Sequence, residues 1–281
     1  MNEFKGKVAV ITGGAGGIGF GLAKHCVNEG MKVVLADVEG PALKEAEDSL
    51  RKANADVLAV PTDVSKISDV ENLAAKTLDT FGGVHLLFNN AGVQTGKGKM
   101  FWEHTLADWQ WVLGVNLWGV IHGVTVFLPI MLKQNVAGHV VNTASVAGLI
   151  SSGAIVTYSV SKAAVVMLSE SLYLQLKESN VPIGVTVACP SGVRSRLNDA
   201  ERNRPSGLSN PTEPPRTPKQ QAVIEMFEKL NEQGMAPEEF AGLVFDTIRN
   251  DQLYLLSHPS YNDMIRQRME NILHGKNPQL Q

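Results

Sequence analysis

The sequence predicts an α/β protein: a Rossmann-like, doubly wound parallel sheet of seven strands with helices on both faces, in a single domain. Short apolar runs rich in β-branched residues alternate with helical patterns along most of the 281 residues. A glycine-rich turn joins the first apolar run to the first helical pattern. Strands that alternate with helices of this length pair in parallel, because right-handed crossovers place the helices on the faces of the sheet.

Composition narrows the class of protein and its partners. Hydrophobic residues are 44% and charged residues 19%, as in a well-buried globular chain. The net charge is -3 and no run is rich in Lys or Arg, so we expect no nucleic acid partner. Cys26 and Cys189 lie in apolar segments, which is typical of reduced thiols in a cytoplasmic protein, and residues 1–5 have no signal-peptide pattern. The longest apolar run, 120–132, contains His122 and Pro129 and predicts no membrane span.

Each strand is predicted from a short apolar run bounded by turn residues. The predicted strands are 7–11, 32–36, 57–60, 85–88, 139–142, 183–188 and 253–256. Helices are predicted from apolar residues at helical spacing, with Gly30 at one C-terminus and Pro41 in one first turn. The predicted helices run from the glycine-rich turn to 29 and over 41–54, 67–81, 106–134, 157–178, 220–230 and 237–248, with a mildly amphipathic helix after Pro259.

A change in composition near residue 194 divides the predicted domain into three parts. Residues 194–219 hold five Arg and five Pro and have no apolar period. A long loop of this kind inside a domain is usually functional. We therefore predict a core at 5–193, a mobile flap at 194–235 that closes over the substrate, and a C-terminal helix, strand and tail at 236–281.

The turn after the first strand predicts a nucleotide site. A glycine-rich turn lets the backbone approach a pyrophosphate, and the next helix supplies N–H donors and a partial positive charge. The glycines are Gly13, Gly14, Gly16, Gly17 and Gly19. They fit three dinucleotide-binding spacings: Gly14-x-Gly16-x-x-Gly19, Gly13-x-x-x-Gly17-x-Gly19 and Gly13-x-x-Gly16-x-x-Gly19. The glycines alone do not choose among the three.

Asp37 predicts which dinucleotide binds. It ends the second strand about twenty residues after the turn, where a carboxylate hydrogen-bonds the adenosine ribose hydroxyls. No Arg or Lys lies in the turn or next to Asp37 in the sequence. A 2′-phosphate would meet this negative charge without a neutralising cation, so NAD is favoured over NADP. Asp63 and residues 89–92 follow the third and fourth strands and fall on the same ligand-binding edge.

A tyrosine and a lysine predict acid/base chemistry. Tyr158 and Lys162 stand four residues apart in a predicted helix, so their side chains share one face. A free tyrosine has a pKa of about 10, and a nearby ammonium lowers it. We expect Lys162 to make Tyr158 a general acid/base near neutral pH. Ser145 follows the fifth strand, thirteen residues before Tyr158, and its hydroxyl can hold a substrate carbonyl oxygen.

No motif indicates a different chemistry. The sequence has no Gly-x-Ser-x-Gly turn, and Ser145 follows Thr143-Ala144, so a serine hydrolase is not expected. It has no His-Glu-x-x-His helix and no paired Cys-x-x-Cys, so no metal site is predicted.

The motifs occur together in one order. They are Thr12-Gly13-x-x-x-Gly17-x-Gly19, Asn89-Asn90-Ala91-Gly92, Asn116, Ser145, Tyr158-x-x-x-Lys162 and Pro190. In this order and spacing the chain resembles the classical short-chain dehydrogenase/reductase family, over about residues 5–195 and more loosely to 257. It departs from the family where Ser191 replaces the usual Gly and Ser195 the usual Thr.

The resemblance implies a role for each catalytic residue. The implied catalytic residues are Asn116, Ser145, Tyr158 and Lys162. Tyr158 is the acid/base, and Ser145 orients the carbonyl. Lys162 binds the nicotinamide ribose and lowers the tyrosine pKa, and Asn116 holds a water in a proton relay to Lys162.

The resemblance also implies the cofactor contacts. Asp63 meets the adenine amino group, and Asn90 closes the adenine-ribose side. The implied cofactor-binding residues are Gly13, Gly14, Gly16, Gly17, Ile18, Gly19, Asp37, Asp63, Val64, Asn90, Ala91, Gly92, Tyr158, Lys162, Pro190, Val193 and Ser195.

We interpret the chain as an NAD-dependent oxidoreductase that interconverts a secondary alcohol and a ketone. Two alternatives stay open: an NAD-binding structural or sensor protein without turnover, and a sugar-nucleotide epimerase or dehydratase. Phe101, Trp102 and Trp109 suggest a pocket for an apolar or aromatic-bearing substrate, although core packing explains them equally well. The long apolar helices predict burial between subunits, and the resemblance implies a homodimer or homotetramer.

Overall fold

Seven parallel strands form a single sheet. The computed structural model describes residues 1–210 and 215–279. The strands are β1 (Val8–Thr12), β2 (Lys32–Asp37), β3 (Val57–Pro61), β4 (Leu86–Asn89), β5 (Gly138–Thr143), β6 (Ile183–Ala188) and β7 (Tyr254–Leu255). Their order is β3-β2-β1-β4-β5-β6-β7, so the chain reverses its direction of winding between β1 and β4. The predicted doubly wound parallel sheet is confirmed.

Helices connect the strands and cover both faces. The α-helices of the described residues are α1 (Gly17–Asn28), α2 (Gly40–Lys52), α3 (Ile67–Phe81), α4 (Leu106–Leu113), α5 (Gly119–Gln134), α6 (Val156–Glu178), α7 (Pro218–Glu232), α8 (Pro237–Arg249) and α9 (Asn262–Leu273). Short 3-10 turns lie at Phe101–Glu103, Val146–Gly148, Leu197–Asn203, Ser206–Leu208 and Pro259–Tyr261.

The core is divided between the two faces of the sheet. Ala9 and Ile11 of β1 point into one apolar cluster, which includes buried side chains of α1, α2 and α8. Val8 and Val10 point the opposite way, into a cluster with side chains of α3, α5 and α6. Successive strand residues face opposite sides, so a strand buried on both faces is apolar throughout. This is why the sequence contains short apolar runs rather than alternating ones.

The long apolar helix differs in detail from its prediction. Residues 106–134 are helical, but a π-helical turn at Gly114–Trp118 separates α4 from α5. Such turns contain one extra residue and occur often at functional sites. This turn carries Asn116, one of the predicted catalytic residues.

The same helical region bears on the expectation that the chain has no membrane span. Within the described part of the chain, Leu106–Gln134 is long and apolar enough to cross a membrane by length and composition alone. Four of its residues, Asn116, Val120, Phe127 and Met131, are buried in the fold, as in a core helix of a globular domain. The expectation that no segment spans a membrane stays a prediction.

Candidate active site

A cleft of about 700 Å³ runs along the carboxyl ends of the strands, next to the point where the strand order reverses. The predicted residues that line it are Gly13, Gly16, Gly17, Ile18, Asp37, Asp63, Val64, Asn90, Ala91, Gly92, Ser145, Tyr158, Lys162, Pro190, Val193 and Ser195. Gly14, Gly19 and Asn116 are not part of the lining. The structure thus brings nearly all of the predicted residues to one cleft.

Glycine is favoured in the turn for different structural reasons at different positions. Gly13 and Gly17 have φ of +65° and +49°, which L side chains rarely adopt. A Cβ on Gly19 would lie 2.0 Å from the Gly13 carbonyl oxygen, so Gly19 permits the helix to pack on the turn. Gly16 has an extended backbone, and a Cβ there would meet no protein atom within 4 Å. Open space at the N-terminus of α1 is what a bound pyrophosphate needs.

Thr12 connects the ends of β1 and β4. Its hydroxyl accepts hydrogen bonds from the backbone N–H of Asn90 at 2.9 Å and of Ala91 at 3.1 Å. The Asn90 amide donates in return to the Thr12 carbonyl at 3.0 Å. These bonds hold the segment after β4 against the glycine turn. Thr12 was not among the predicted site residues, although it opens the glycine motif.

Asp37 is fixed at the end of β2 by two backbone hydrogen bonds. One carboxylate oxygen accepts from the N–H of Ala15 and the other from the N–H of Glu39, both at 3.1 Å. Burial raises the pKa of Asp37, and these two hydrogen bonds oppose the rise. The carboxylate is therefore tied to the glycine turn and lines the cleft beside it.

Asp63 lies at the cleft after β3, where its oxygens bind its own turn. One accepts from the hydroxyl of Ser65 at 2.6 Å and from its N–H at 3.1 Å. The other lies 3.3 Å from the ammonium of Lys66. The adenine contact implied for Asp63 stays a prediction.

Asn116 is completely buried, and the oxygen and both hydrogens of its side-chain amide form hydrogen bonds inside the protein. Its oxygen accepts from the Val93 N–H at 2.8 Å, and its nitrogen donates to the Val93 carbonyl and the Ser161 hydroxyl at 2.9 Å. The side chain joins the segment after β4 to helix α6, one residue before Lys162. The relay water implied for Asn116 stays a prediction, and the amide has no free hydrogen for it.

Ser145 lies where β5 and β6 end side by side. Its hydroxyl donates to the Pro190 carbonyl at 3.2 Å and accepts from the Ala147 N–H at 3.2 Å. Ser145 and Tyr158 both line the cleft, and Ser145 lies close enough to Tyr158 to favour its phenolate form. The carbonyl-orienting role implied for Ser145 stays a prediction.

Burial dominates the electrostatics of Tyr158 and Lys162. Burial raises the pKa of Tyr158 to about 12, and Ser145 only opposes this rise. Burial lowers the pKa of Lys162 to about 8. The ammonium lies 5.5 Å from the centre of the Tyr158 ring and donates to the Thr143 carbonyl at 2.7 Å. In the protein alone, desolvation of the phenolate therefore sets the direction of the shift in the pKa of Tyr158. The expected lowering of this pKa by Lys162 and a bound nicotinamide stays a prediction.

Several described residues of 194–235, here named the lid, line the cleft. Residues 211–214 of the lid lie outside the described residues, and the predicted mobility and closure of the lid stay a prediction. Leu197 and Phe227 pack against Tyr158 at the end where the substrate was expected. The 3-10 turn Leu197–Asn203 lies over the other end, beside the segment after β2. Arg204 of the lid forms an ion pair with Asp108 of α4.

Two arginines of the lid correct the expectation that no cation lies near Asp37. Arg202 donates to Glu39 at 2.5 Å, and Arg196 donates to the same carboxylate at 3.4 Å. Glu39 stands two residues after Asp37, and the four residues line the same end of the cleft. No local signal in the sequence pairs Glu39 with Arg202, because 163 residues separate them.

The aromatic residues near position 105 do not form the predicted pocket. Phe101 and Trp102 are 61% and 77% exposed, and Trp109 packs with its ring centre 5.5 Å from that of Phe101. None of the three lines the cleft. Trp111, which was not singled out in the sequence, does line it, together with Val115 and Leu208.

The fold and the cleft define an oxidoreductase of the Rossmann-like class. The sequence matches the short chain dehydrogenase family over residues 7–206, and the chain belongs to that family. Among the described residues, no group of three or more His, Cys, Asp or Glu side chains could hold a metal ion.

Three relatives cover almost the whole chain. A short chain dehydrogenase/reductase from Burkholderia phymatum, solved in complex with NAD, has a TM-score of 0.96 and 45% identity over 100% of this chain and 99% of its own. The CLA biosynthesis dehydrogenase/reductase of Lactiplantibacillus plantarum is 33% identical over 97% of this chain and 95% of its own. The C alpha-dehydrogenase of Sphingobium sp. strain SYK-6 is 29% identical over 99% of this chain and 89% of its own.

Proposed function

We propose that the protein is an NAD-dependent dehydrogenase that interconverts a secondary alcohol and a ketone. One observation carries the proposal: Ser145, Tyr158 and Lys162 meet at one end of a cleft whose other parts are the glycine turn and Asp37. This arrangement suits a dinucleotide that extends along the cleft with its reactive ring beside the tyrosine. The similarity to a structure in complex with NAD supports the same cofactor.

Tyr158, Ser145 and Lys162 have different roles in the proposed reaction. When bound, an oxidised nicotinamide would supply the acceptor for the hydride that leaves the alcohol carbon. Tyr158 removes the hydroxyl proton as the carbonyl forms, and it returns that proton in the reverse direction. Ser145 donates a hydrogen bond to the same substrate oxygen and holds it beside Tyr158. Lys162 binds the adjoining ribose and stabilises the phenolate.

The substrate proposed is apolar or carries an aromatic group. Trp111, Val115, Leu197 and Leu208 line the cleft and give it apolar walls. Apolar walls with few polar groups favour a ligand that loses water-exposed hydrocarbon on binding. A sugar-nucleotide substrate would instead need polar partners for a second nucleotide.

A homodimer or homotetramer is proposed on the basis of the helices. Exposed apolar side chains occur on the helical layer that includes α4, α5 and α6. They are Leu106, Trp118, Leu132, Val160, Met167 and Leu174. Large exposed apolar areas of this kind mark surfaces between proteins.

Gly16 provides a test of the cofactor site. We expect Gly16→Ala to fold normally, because its backbone is extended and the new Cβ meets no protein atom within 4 Å. The methyl group would occupy the space of the pyrophosphate and weaken NADH binding roughly tenfold, about 1.4 kcal/mol. NADH fluorescence titration measures this. Gly40→Ala is the matched control, because Gly40 also has open space but begins α2 outside the cleft. Equal NADH affinity of the two variants would argue against a pyrophosphate at Gly16.

Asp37 provides a test of cofactor choice. We expect NAD to exceed NADP at least tenfold in kcat/KM, about 1.4 kcal/mol, because a 2′-phosphate would be repelled by the half-buried Asp37 carboxylate. Asp37→Ala should narrow this ratio by weakening NAD and removing the repulsion. Steady-state rates with both cofactors measure the ratio, and equal use of NADP by the unaltered enzyme would refute the expectation.

A further inference from the structure

The lid brings two guanidinium groups to the end of the cleft that Asp37 marks. Glu39 receives both of them. One of its oxygens accepts from Arg202 at 2.5 and 3.1 Å and from the Asn203 amide at 3.0 Å. The other accepts from Arg196 at 3.4 Å. The hydrogen bond from Arg202 is the main reason that the pKa of Glu39 is lowered.

The charges in this cluster nearly cancel. Asp37, Glu39 and Asp199 contribute three negative charges, and Arg196 and Arg202 contribute two positive charges, which leaves a net charge of -1. Asp199 lies 3.1 Å from Arg196 and 3.7 Å from Arg202, but it is 65% exposed, so water screens its charge. Glu39 is only 22% exposed and takes the shortest hydrogen bond of Arg202, at 2.5 Å.

An arginine that is not already paired would favour a phosphate at this place. A guanidinium binds phosphate oxygens with two parallel hydrogen bonds, and such charge-assisted bonds are about twice as strong as neutral ones. Arg196 and Arg202 line the same end of the cleft as Asp37, where the adenosine ribose is expected. Their donors instead form hydrogen bonds within the protein. Both arginines donate to Glu39, Arg196 also donates to the Asp199 carboxylate, and Arg202 also donates to the backbone carbonyls of Arg196 and Asp199.

We propose that Glu39 is a second determinant of cofactor choice, which holds Arg196 and Arg202 in ion pairs and so withholds both cations from a 2′-phosphate. The proposal rests on the proposed function, because it assumes that a dinucleotide occupies this cleft. Asp37 repels the phosphate directly, whereas Glu39 is a positioning residue that acts through the two arginines. Discrimination against NADP therefore has two separable parts.

Binding affinities test the proposal without a known substrate. Asp37→Ser is the reference, because it removes the direct repulsion. In the Asp37→Ser/Glu39→Gln variant the net charge of the cluster becomes +1, and both arginines lose their ion pair with Glu39. We expect NADPH to bind at least tenfold more tightly to this variant than to the reference, with NADH affinity changed less than threefold. A third variant that also carries Arg196→Gln and Arg202→Gln should lose this gain.

Fluorescence titrations with NADH and NADPH measure all of these affinities. Glu238→Gln in the Asp37→Ser background is the matched control, because Glu238 also lines the cleft but pairs with Lys24, at 2.8 Å, rather than with the lid. We expect no gain in NADPH affinity for this control. An unchanged NADPH affinity on adding Glu39→Gln, a gain that survives the removal of both arginines, or an equal gain in the control would each overturn the proposal. Absence of NADH binding by the unaltered protein would instead refute the proposed function itself.

Discussion

Tyr158→Phe is expected to lower turnover at least hundredfold while NADH still binds. The change removes the group that takes the proton of the alcohol, and general acid/base groups contribute at least this much. The Tyr158 side chain is 8% exposed and packs beside Ala147 and Ile155, so the phenylalanine ring fills the same space. Steady-state rates and NADH fluorescence titration separate the lost chemistry from cofactor binding.

The pKa of Tyr158 predicts how the reaction rates change with pH. At about 12 in the protein alone, Tyr158 is protonated at pH 7 and can donate a proton to a forming alkoxide without any change in its pKa. Alcohol oxidation needs the phenolate, and lowering that pKa from about 12 to about 7 requires roughly 7 kcal/mol of preferential stabilisation in the loaded site. We therefore expect the oxidation rate of the unaltered enzyme to rise with pH, and the residual rate of Tyr158→Phe to lose that rise.

Tyr173→Phe is the matched control for Tyr158→Phe. Tyr173 lies on the same helix, outside the cleft, with its ring 5.3 Å from the Lys177 ammonium. We expect its turnover to stay within about twofold of the unaltered enzyme, since it touches no reacting group. If Tyr158→Phe keeps more than a tenth of the activity, the proton goes elsewhere and the proposed mechanism is wrong.

Lys162→Ala is expected to lower turnover about hundredfold and NADH affinity about tenfold together. Its ammonium is 2% exposed, donates to the Thr143 carbonyl at 2.7 Å and lies beside the Tyr158 ring. Loss of this one charge removes both the ribose ligand and the cation nearest to the phenolate. Ser145→Ala, in contrast, should lower turnover with NADH affinity nearly unchanged, because Ser145 faces the substrate oxygen.

Lys177→Ala serves as the control for Lys162→Ala. Lys177 lies on the same helix, is exposed, and pairs with Asp251 at 2.6 Å outside the cleft. Its turnover and NADH affinity should both be unchanged. An NADH affinity of Lys162→Ala equal to that of the unaltered protein would contradict the proposed ribose contact.

The sheet could be predicted closely because its residues are constrained locally. Each predicted strand lies within one residue of the observed strand at both ends, since a strand buried on both faces must be apolar and must stop at a turn. Helix α7 begins two residues earlier than predicted, where Thr217 caps it and Pro218 suits its first turn. The π-helical turn around Asn116 could not be predicted, because one extra residue barely alters a uniformly apolar pattern.

The candidate site was predictable in its residues but not in its energetics. Motif spacing found the cleft-lining residues on the strand ends. The high pKa of Tyr158 depends on how deeply the fold buries its side chain. The spacing of Tyr158 and Lys162 in the sequence gives no information about that burial. The pairing of Glu39 with Arg196 and Arg202 depends on how the lid crosses the cleft, and a pattern with no apolar period carries no such information.

NADH formation from NAD and a panel of secondary alcohols, apolar and aromatic ones included, tests most directly whether the protein is an NAD-dependent alcohol dehydrogenase. We expect at least one alcohol to yield NADH and its ketone in equal amounts, and we expect Tyr158→Phe to abolish this reaction while still binding NADH. NADH binding that Gly16→Ala weakens, combined with no NADH formation from any alcohol of the panel, would contradict this expectation and favour an NAD-binding protein without turnover.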